Sequence, residues 1–143
     1  MTWVLTLPYP KPSPGLSLND TKANRWRRHE SVQTIRNMVV LKARNARIPV
    51  MQRMQIELVW VVKDKRVRDP DNITPVLKAA ADGLASNRGI SAHLVPDDSP
   101  DYCTKLMPRI EYQPGSTPHF EVIISDISHR PDDITGLIES RNL

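Results

Sequence analysis

Two aspartates two residues apart, Asp69 and Asp71 in Val67-Arg68-Asp69-Pro70-Asp71-Asn72, are the residues of this chain best placed by spacing to do chemistry. In extended backbone such a pair points to one side, with Cα atoms about 6.5–7 Å apart. Two carboxylates at that separation can converge on one hard cation. Pro70 restricts its own φ and biases Asp69 toward extended geometry, which partly fixes the pair before a cation arrives. Asn72 extends the polar cluster. A second acidic pair, Asp97-Asp98, follows further along the chain. Adjacent residues in extended backbone point apart, so only one of these need join the first pair. Two or three carboxylates with open water positions suit Mg²⁺. Such a cation generates a hydroxide-like nucleophile and neutralises charge on a phosphoryl oxygen.

The flanking residues favour a phosphodiester. Lys63, Lys65, Arg66 and Arg68 stand immediately before Asp69. An acidic site alone repels a phosphate backbone, whereas one ringed with lysine and arginine can hold it. Lys78, further on, is placed to stabilise a transition-state oxygen or a leaving group. Each feature also has a plain reading. Asp-x-Asp is a common pattern, and a basic run is usually a solvated face. Lys78 and Asp82 are four apart and can simply pair on a helix surface. Asp97-Asp98 can be an ordinary loop, and Asp132-Asp133 is a decoy. His29, His93, His119 and His129 show no ligand spacing, and Trp26 and Trp60 fit core positions.

The elements that must position these residues can be read from periodicity. Residues 2–7 read as a strand, stopped by Pro8, Pro10, Pro12 and Pro14. From about 24 to 46 there is neither Pro nor Gly, and Trp26, Val32, Ile35, Val39 and Val40 recur at helical spacing. This helix opens on Arg25, Arg27, Arg28 and His29, against its macrodipole. Met54, Ile56, Leu58 and Trp60 alternate with Gln55, Glu57 and Val59, the pattern of a second strand. Thr74-Pro75 reads as a cap and first residue of a second helix, with Val76, Leu77, Ala80, Ala81 and Leu84 as its apolar face. Residues 102–112 and 118–127 read as two strands in a hairpin around Pro114-Gly115. The order β-α-β-α-β-β predicts one α+β domain, a mixed sheet with two main helices, over residues 1–127. Residues 128–143 form a polar tail, either loose or associated with a dimer.

Composition sets the class. A chain of 143 residues with 39% hydrophobic and 25% charged residues reads as one globular domain. The net charge of +4 is compatible with a polyanion partner. The single cysteine, Cys103, excludes an internal disulfide and a cysteine-rich zinc site, and suits a reducing cytoplasm. No segment reaches the apolar length of a membrane helix, and Thr2–Leu7 is too short for a secretory leader.

Taken together, the residues resemble the RusA-type Holliday junction resolvases. The resemblance is carried by Arg68-Asp69-Pro70-Asp71-Asn72, Lys78-Ala79-Ala80-Ala81-Asp82-Gly83-Leu84 and Val95-Pro96-Asp97-Asp98. The opening is similar too: a strand ending Leu5-Thr6-Leu7-Pro8-Tyr9-Pro10, a loop with Asn19, then a basic helix. The matching order spans most of residues 3–125. The resemblance implies a homodimeric, Mg²⁺-dependent endodeoxyribonuclease, with Mn²⁺ able to substitute, that nicks four-way DNA junctions in pairs. It implies catalytic and metal-binding carboxylates at Asp69, Asp71 and Asp98, with Asp97 as a helper, and the catalytic lysine at Lys78. Here the family lysine stands six residues after Asn72 rather than three, most of a helical turn further on. Arg27, Arg28, Lys63, Lys65, Arg66, Arg68 and Asn72 are the expected DNA contacts. A cytoplasmic protein of bacterial or phage origin is expected. The rival expectation is a non-catalytic branched-DNA-binding protein with a structural acidic cluster. A metal–nucleotide site of a glycosyltransferase is a third reading, for which the chain is short and lacks a nucleotide-binding βαβ unit.

Overall fold

Alternating apolar residues make Met54–Val62 the central strand, β2, once β1 (Thr2–Leu7) is counted. Met54, Ile56 and Leu58 point into one buried face. The alternation does not persist, because Val59 and Val61 are fully buried as well, while Trp60 is half-buried. Both faces of the second half of β2 are therefore covered. The computed structural model describes residues 1–129 apart from 21 and 23. The expected tail therefore lies mostly outside the described residues. Within them, Ser128 accepts the backbone N–H groups of Gln52 and Arg53 at 3.0 and 3.2 Å, which ties the chain back beside β2.

Helix α1, Arg25–Asn45, begins where Asn24 accepts the Arg27 N–H at 2.9 Å. This satisfies one of the orphan donors of the first turn. Ile35, Val39, Val40 and Ala43 form its buried stripe. Trp26 does not join it. It is 73% exposed, contrary to the core position expected from spacing, because it lies on a stretch, residues 24–30, that is exposed throughout. Helix α2, Thr74–Ala85, lies against α1 and buries Val76, Leu77, Ala80, Ala81 and Leu84. Its start differs from expectation. The chain is already wound into a 3-10 helix over Pro70–Ile73, so Thr74 is helical rather than a cap, and its hydroxyl donates to the Asp71 carbonyl.

The sheet is mixed and has five strands, with β3 at Cys103–Lys105, β4 at Arg109–Tyr112 and β5 at His119–Asp126. β5 runs antiparallel between β1 and β2. β3 and β4 both run parallel to β2 along its other edge, opposite Met54–Ile56 and Val59–Val62. The expected single strand over 102–112 is thus two short ones. Pro108, which has no N–H to give a ladder, lies in the break. The expected β4–β5 hairpin is not formed. The turn around Gly115 carries the chain from one side of β2 to the other, because β2 takes a partner on each edge. Leu5 and Leu7, the inward residues of β2, and Phe120, Val122 and Ile124 share one core with both helices. The fold is α+β, with the helices on one face of the sheet. Among the described residues no helix is long and apolar enough to cross a membrane.

Candidate metal and nucleic-acid site

Asp69 and Asp71 occupy the link between β2 and α2; Asp69 has the extended backbone expected before Pro70 (φ −99, ψ 119), but Asp71 does not continue it. Asp69 is the cap of the 3-10 helix, and its carboxylate accepts the Asp71 N–H at 3.0 Å. Asp71 lies inside that helix. The expected period-two geometry is therefore replaced by a wound turn: Pro70, whose fixed φ suits a first helical position, starts the winding early. Both aspartates are exposed. Asn72 closes the turn. Its N–H donates to the Asp69 carbonyl, and its own carbonyl accepts the Leu18 N–H at 3.0 Å, which fastens the loop after β1 to this segment.

The second acidic group is made by α2. Lys78 and Asp82, one turn apart, form an ion pair at 3.4 Å, so the plain reading of that spacing holds. Asp82 also meets Asp98. Burial, then the hydrogen bond with Asp98, push the Asp82 carboxyl above its ordinary value, while Lys78 pulls it down. A neighbouring carboxylate disfavours the ionised form. Asp98 thus joins an acid from α2, and sequence reasoning missed Asp82 as its partner. The signal was present in the matching stretch, where Asp82 follows Lys78, but a surface pair explained it equally well. Among the described residues, no three His, Cys, Asp or Glu side chains stand together as a group that could hold a metal. Asp97 is engaged locally. Its carboxylate accepts the Ser99 N–H at 2.8 Å, and the Ser99 hydroxyl and N–H hold it below its ordinary value.

The two acidic pairs are linked by a residue of the loop after β1. One cavity, of about 630 Å³, is lined by Lys11, Asn19, Asp20, Trp60, Arg68, Asp69 and Asn72, among others. A neighbouring one of about 450 Å³ is lined by Asp20, Arg28, Lys78 and Asp82. A third, smaller hollow holds Asp20 with Lys22 and Arg27. Asp20 borders all three. Its carboxylate accepts the Gly15 N–H at 2.7 Å and the Lys22 N–H at 3.1 Å, which shapes the loop. Gly15 has φ +80 and lies so close to Arg28 that a Cβ there would press on that side chain. Nothing in the sequence separated Asp20 from an ordinary loop acid.

The basic residues divide into two groups. Arg27 and Arg28 border the cavities. Lys63, Lys65 and Arg66 are exposed beyond β2 and line none of these three cavities, with Lys65 over the Tyr112 ring and Arg66 at 3.5 Å from Asp64. Arg68 borders the largest cavity but is turned inward. Its guanidinium is 2.8 Å from Asp64, lies over Trp60 at 5.1 Å, and donates to the carbonyls of Asp64 and Arg66. Trp60 in turn stacks on Phe120 at 5.4 Å. Arg68 thus braces the segment before Asp69 while still bordering the cavity beside it. Arg68→Ala should cost about 1–3 kcal/mol of stability in urea denaturation, through the lost cation–π contact and charge-assisted hydrogen bonds. Arg66→Ala, at an exposed pair, should stay within about 0.5 kcal/mol. Equal losses would refute the distinction.

Cys103 is buried in β3 below Asp82 and Asp98. Burial chiefly, with those acids adding, pushes its thiol up to about 11. The thiolate is the reactive form, so at pH 8 only about a thousandth is available even before access is considered. Native protein should resist alkylation for hours and react within minutes once unfolded; fast native labelling, read by mass spectrometry, would contradict the placement.

No protein-family model matches the chain, and no curated protein matches it.

Proposed function

We propose that the chain is a divalent-metal-dependent endodeoxyribonuclease of branched DNA, acting on four-way junctions as a homodimer. One observation carries this reading: three adjoining cavities meet at Asp20, with Asp69 at one end, Asp82 at the other, and Lys11, Lys22, Arg27 and Arg28 along their walls. An acidic floor with cationic walls is what a phosphodiester backbone and a hard cation together require. The donor set fits Mg²⁺ or Mn²⁺ in kind, being carboxylate oxygen throughout. Asp69, Asp71 and Asp98 are the residues assigned to hold it, as the resemblance to the resolvases implies. Such a cation supplies a nucleophile at neutral pH and offsets phosphoryl charge.

The chain's own residues do the rest. Asp69 caps the turn that presents Asp71. Asp82 holds Asp98, and Lys78 offsets their combined charge; with its side chain 70% exposed, its amine is also open to a phosphate oxygen. Arg27 and Arg28 grip backbone phosphates, and Lys63, Lys65 and Arg66 give a second set. Asn72 fixes the loop that carries Asp20. A two-fold dimer would offer two such grooves to opposing strands of a near-symmetric junction. The lone buried thiol suits a reducing cytoplasm, in a bacterium or a phage-infected cell.

The test is cleavage of an end-labelled four-way junction. Paired nicks in Mg²⁺ and none in EDTA are expected. Tight junction binding without nicking across Mg²⁺, Mn²⁺ and Co²⁺ would instead make this a non-catalytic branched-DNA-binding protein.

A further inference from the structure

The first turns of α1 carry a feature that the groove does not use. Trp26 is 73% exposed, whereas Trp3 and Trp60 are half-buried against the core. A large aromatic held in water serves no packing purpose there. The His29 ring meets it edge to face, with centroids 6.2 Å apart and planes at 77°. Arg25, Trp26 and His29 together line an open hollow of about 410 Å³, which shares no lining residue with the cavities around Asp20. The surrounding charge is mainly positive: Arg25, Arg27 and Arg28 stand in the first turn, which contains no acid, against one exposed acid, Glu30, in the next.

Three occupants can be compared. A second copy docked here by a two-fold axis would set three arginines and one glutamate against the same set, a net like-charge contact. A lipid surface would need an apolar helix face, but the apolar stripe of α1 is already spent on the core. A nucleic acid strand with an unpaired base satisfies both parts of the feature. Its π-face stacks on indole and imidazole, and a flanking phosphate meets Arg25.

We propose that Trp26 and His29 form a stacking platform for an unpaired base of single-stranded or branch-point DNA, with Arg25 on a flanking phosphate. This rests on the proposed action on DNA for the identity of the polymer, but not on cleavage. The platform gives the chain a means of preferring opened over fully paired DNA.

The test uses the full chain in EDTA, with fluorescence anisotropy on a labelled single strand and on the matching flush duplex. One stacked base contributes a factor of roughly 5 to 150 in affinity. Trp26→Ala should therefore lower the ratio of single-strand to duplex affinity at least about fivefold, and Trp26→Phe should recover most of it. The melting temperature should stay within about 2 °C, since the residue is exposed. An unchanged ratio, a wild-type chain that does not bind the single strand, or a dimer that Trp26→Ala converts to monomer would each overturn the proposal. Trp26-dependent binding by a chain that never nicks a junction would leave the platform standing and remove the nuclease reading. Nicking with a ratio indifferent to Trp26 would do the reverse.

Discussion

Asp71→Asn is expected to slow junction cleavage in Mg²⁺ by about a hundredfold or more, while junction affinity in EDTA stays within about threefold. The substitution keeps the side chain's size and removes its charge. A hard cation with few protein ligands depends on charged oxygens, and a loss of about 2.7 kcal/mol of transition-state stabilisation is already a factor of a hundred. The fold has little reason to respond. Asp71 is exposed, and what it gives to the turn comes from its backbone: an N–H to Asp69 and a carbonyl to Thr74. Asp69→Asn should behave alike, because the amide oxygen of asparagine caps the Asp71 N–H as a carboxylate does. Removing an acid from a surface that meets DNA does not weaken the electrostatic part of binding. Single-turnover cleavage beside a gel shift checks both halves. Cleavage retained in either variant would remove that aspartate from the site.

Gly83→Ala is expected to destabilise the fold by about 2 kcal/mol and to lower the melting temperature by roughly 5–10 °C. In an exposed helix the same change would stabilise by up to about 1 kcal/mol. Here the sign reverses because α2 crosses α1 at this glycine. A Cβ would run into the Val39 side chain and stand 3.0 and 3.1 Å from the Cα and carbonyl oxygen of Arg36. The valine can rotate, but the backbone can yield only if the helices separate. Arg36 is itself committed, donating to the carbonyls of Arg88 and Ile90 in the loop that leads to Asp98. Cleavage should therefore fall with stability. Gly115→Ala is the contrast: no atom lies within 4 Å of its added Cβ, so only the φ of +82 resists, at about 1 kcal/mol. A Gly83→Ala protein at least as stable as the parent would show that the helices do not meet there.

The sequence made the local elements legible where one signal acted alone. Asn24 and the Pro- and Gly-free run after it mark α1, and alternation marks the first half of β2. It was less legible where two choices were locally equal. Strand spacing near Gly115 suits a hairpin, but a nine-residue β2 takes a partner on each edge, and nothing local reports this. Pro70 is compatible with an extended pair or with a helix start, and the structure takes the second. Trp26 has the helical spacing of a core residue, yet lies one turn beyond where the core ends. The acids show the same limit. Asp69, Asp71 and Asp98 stood out by pattern, whereas Asp20 and Asp82 matter through what the fold sets beside them.

Whether Asp69 and Asp71 hold a metal is tested most directly by anomalous scattering from crystals grown with Mn²⁺. The predicted result is a peak within about 2.5 Å of a carboxylate oxygen of Asp69 or Asp71, with Asp98 completing the set. A peak confined to Asp82 and Asp98, or no peak at millimolar Mn²⁺, would contradict it.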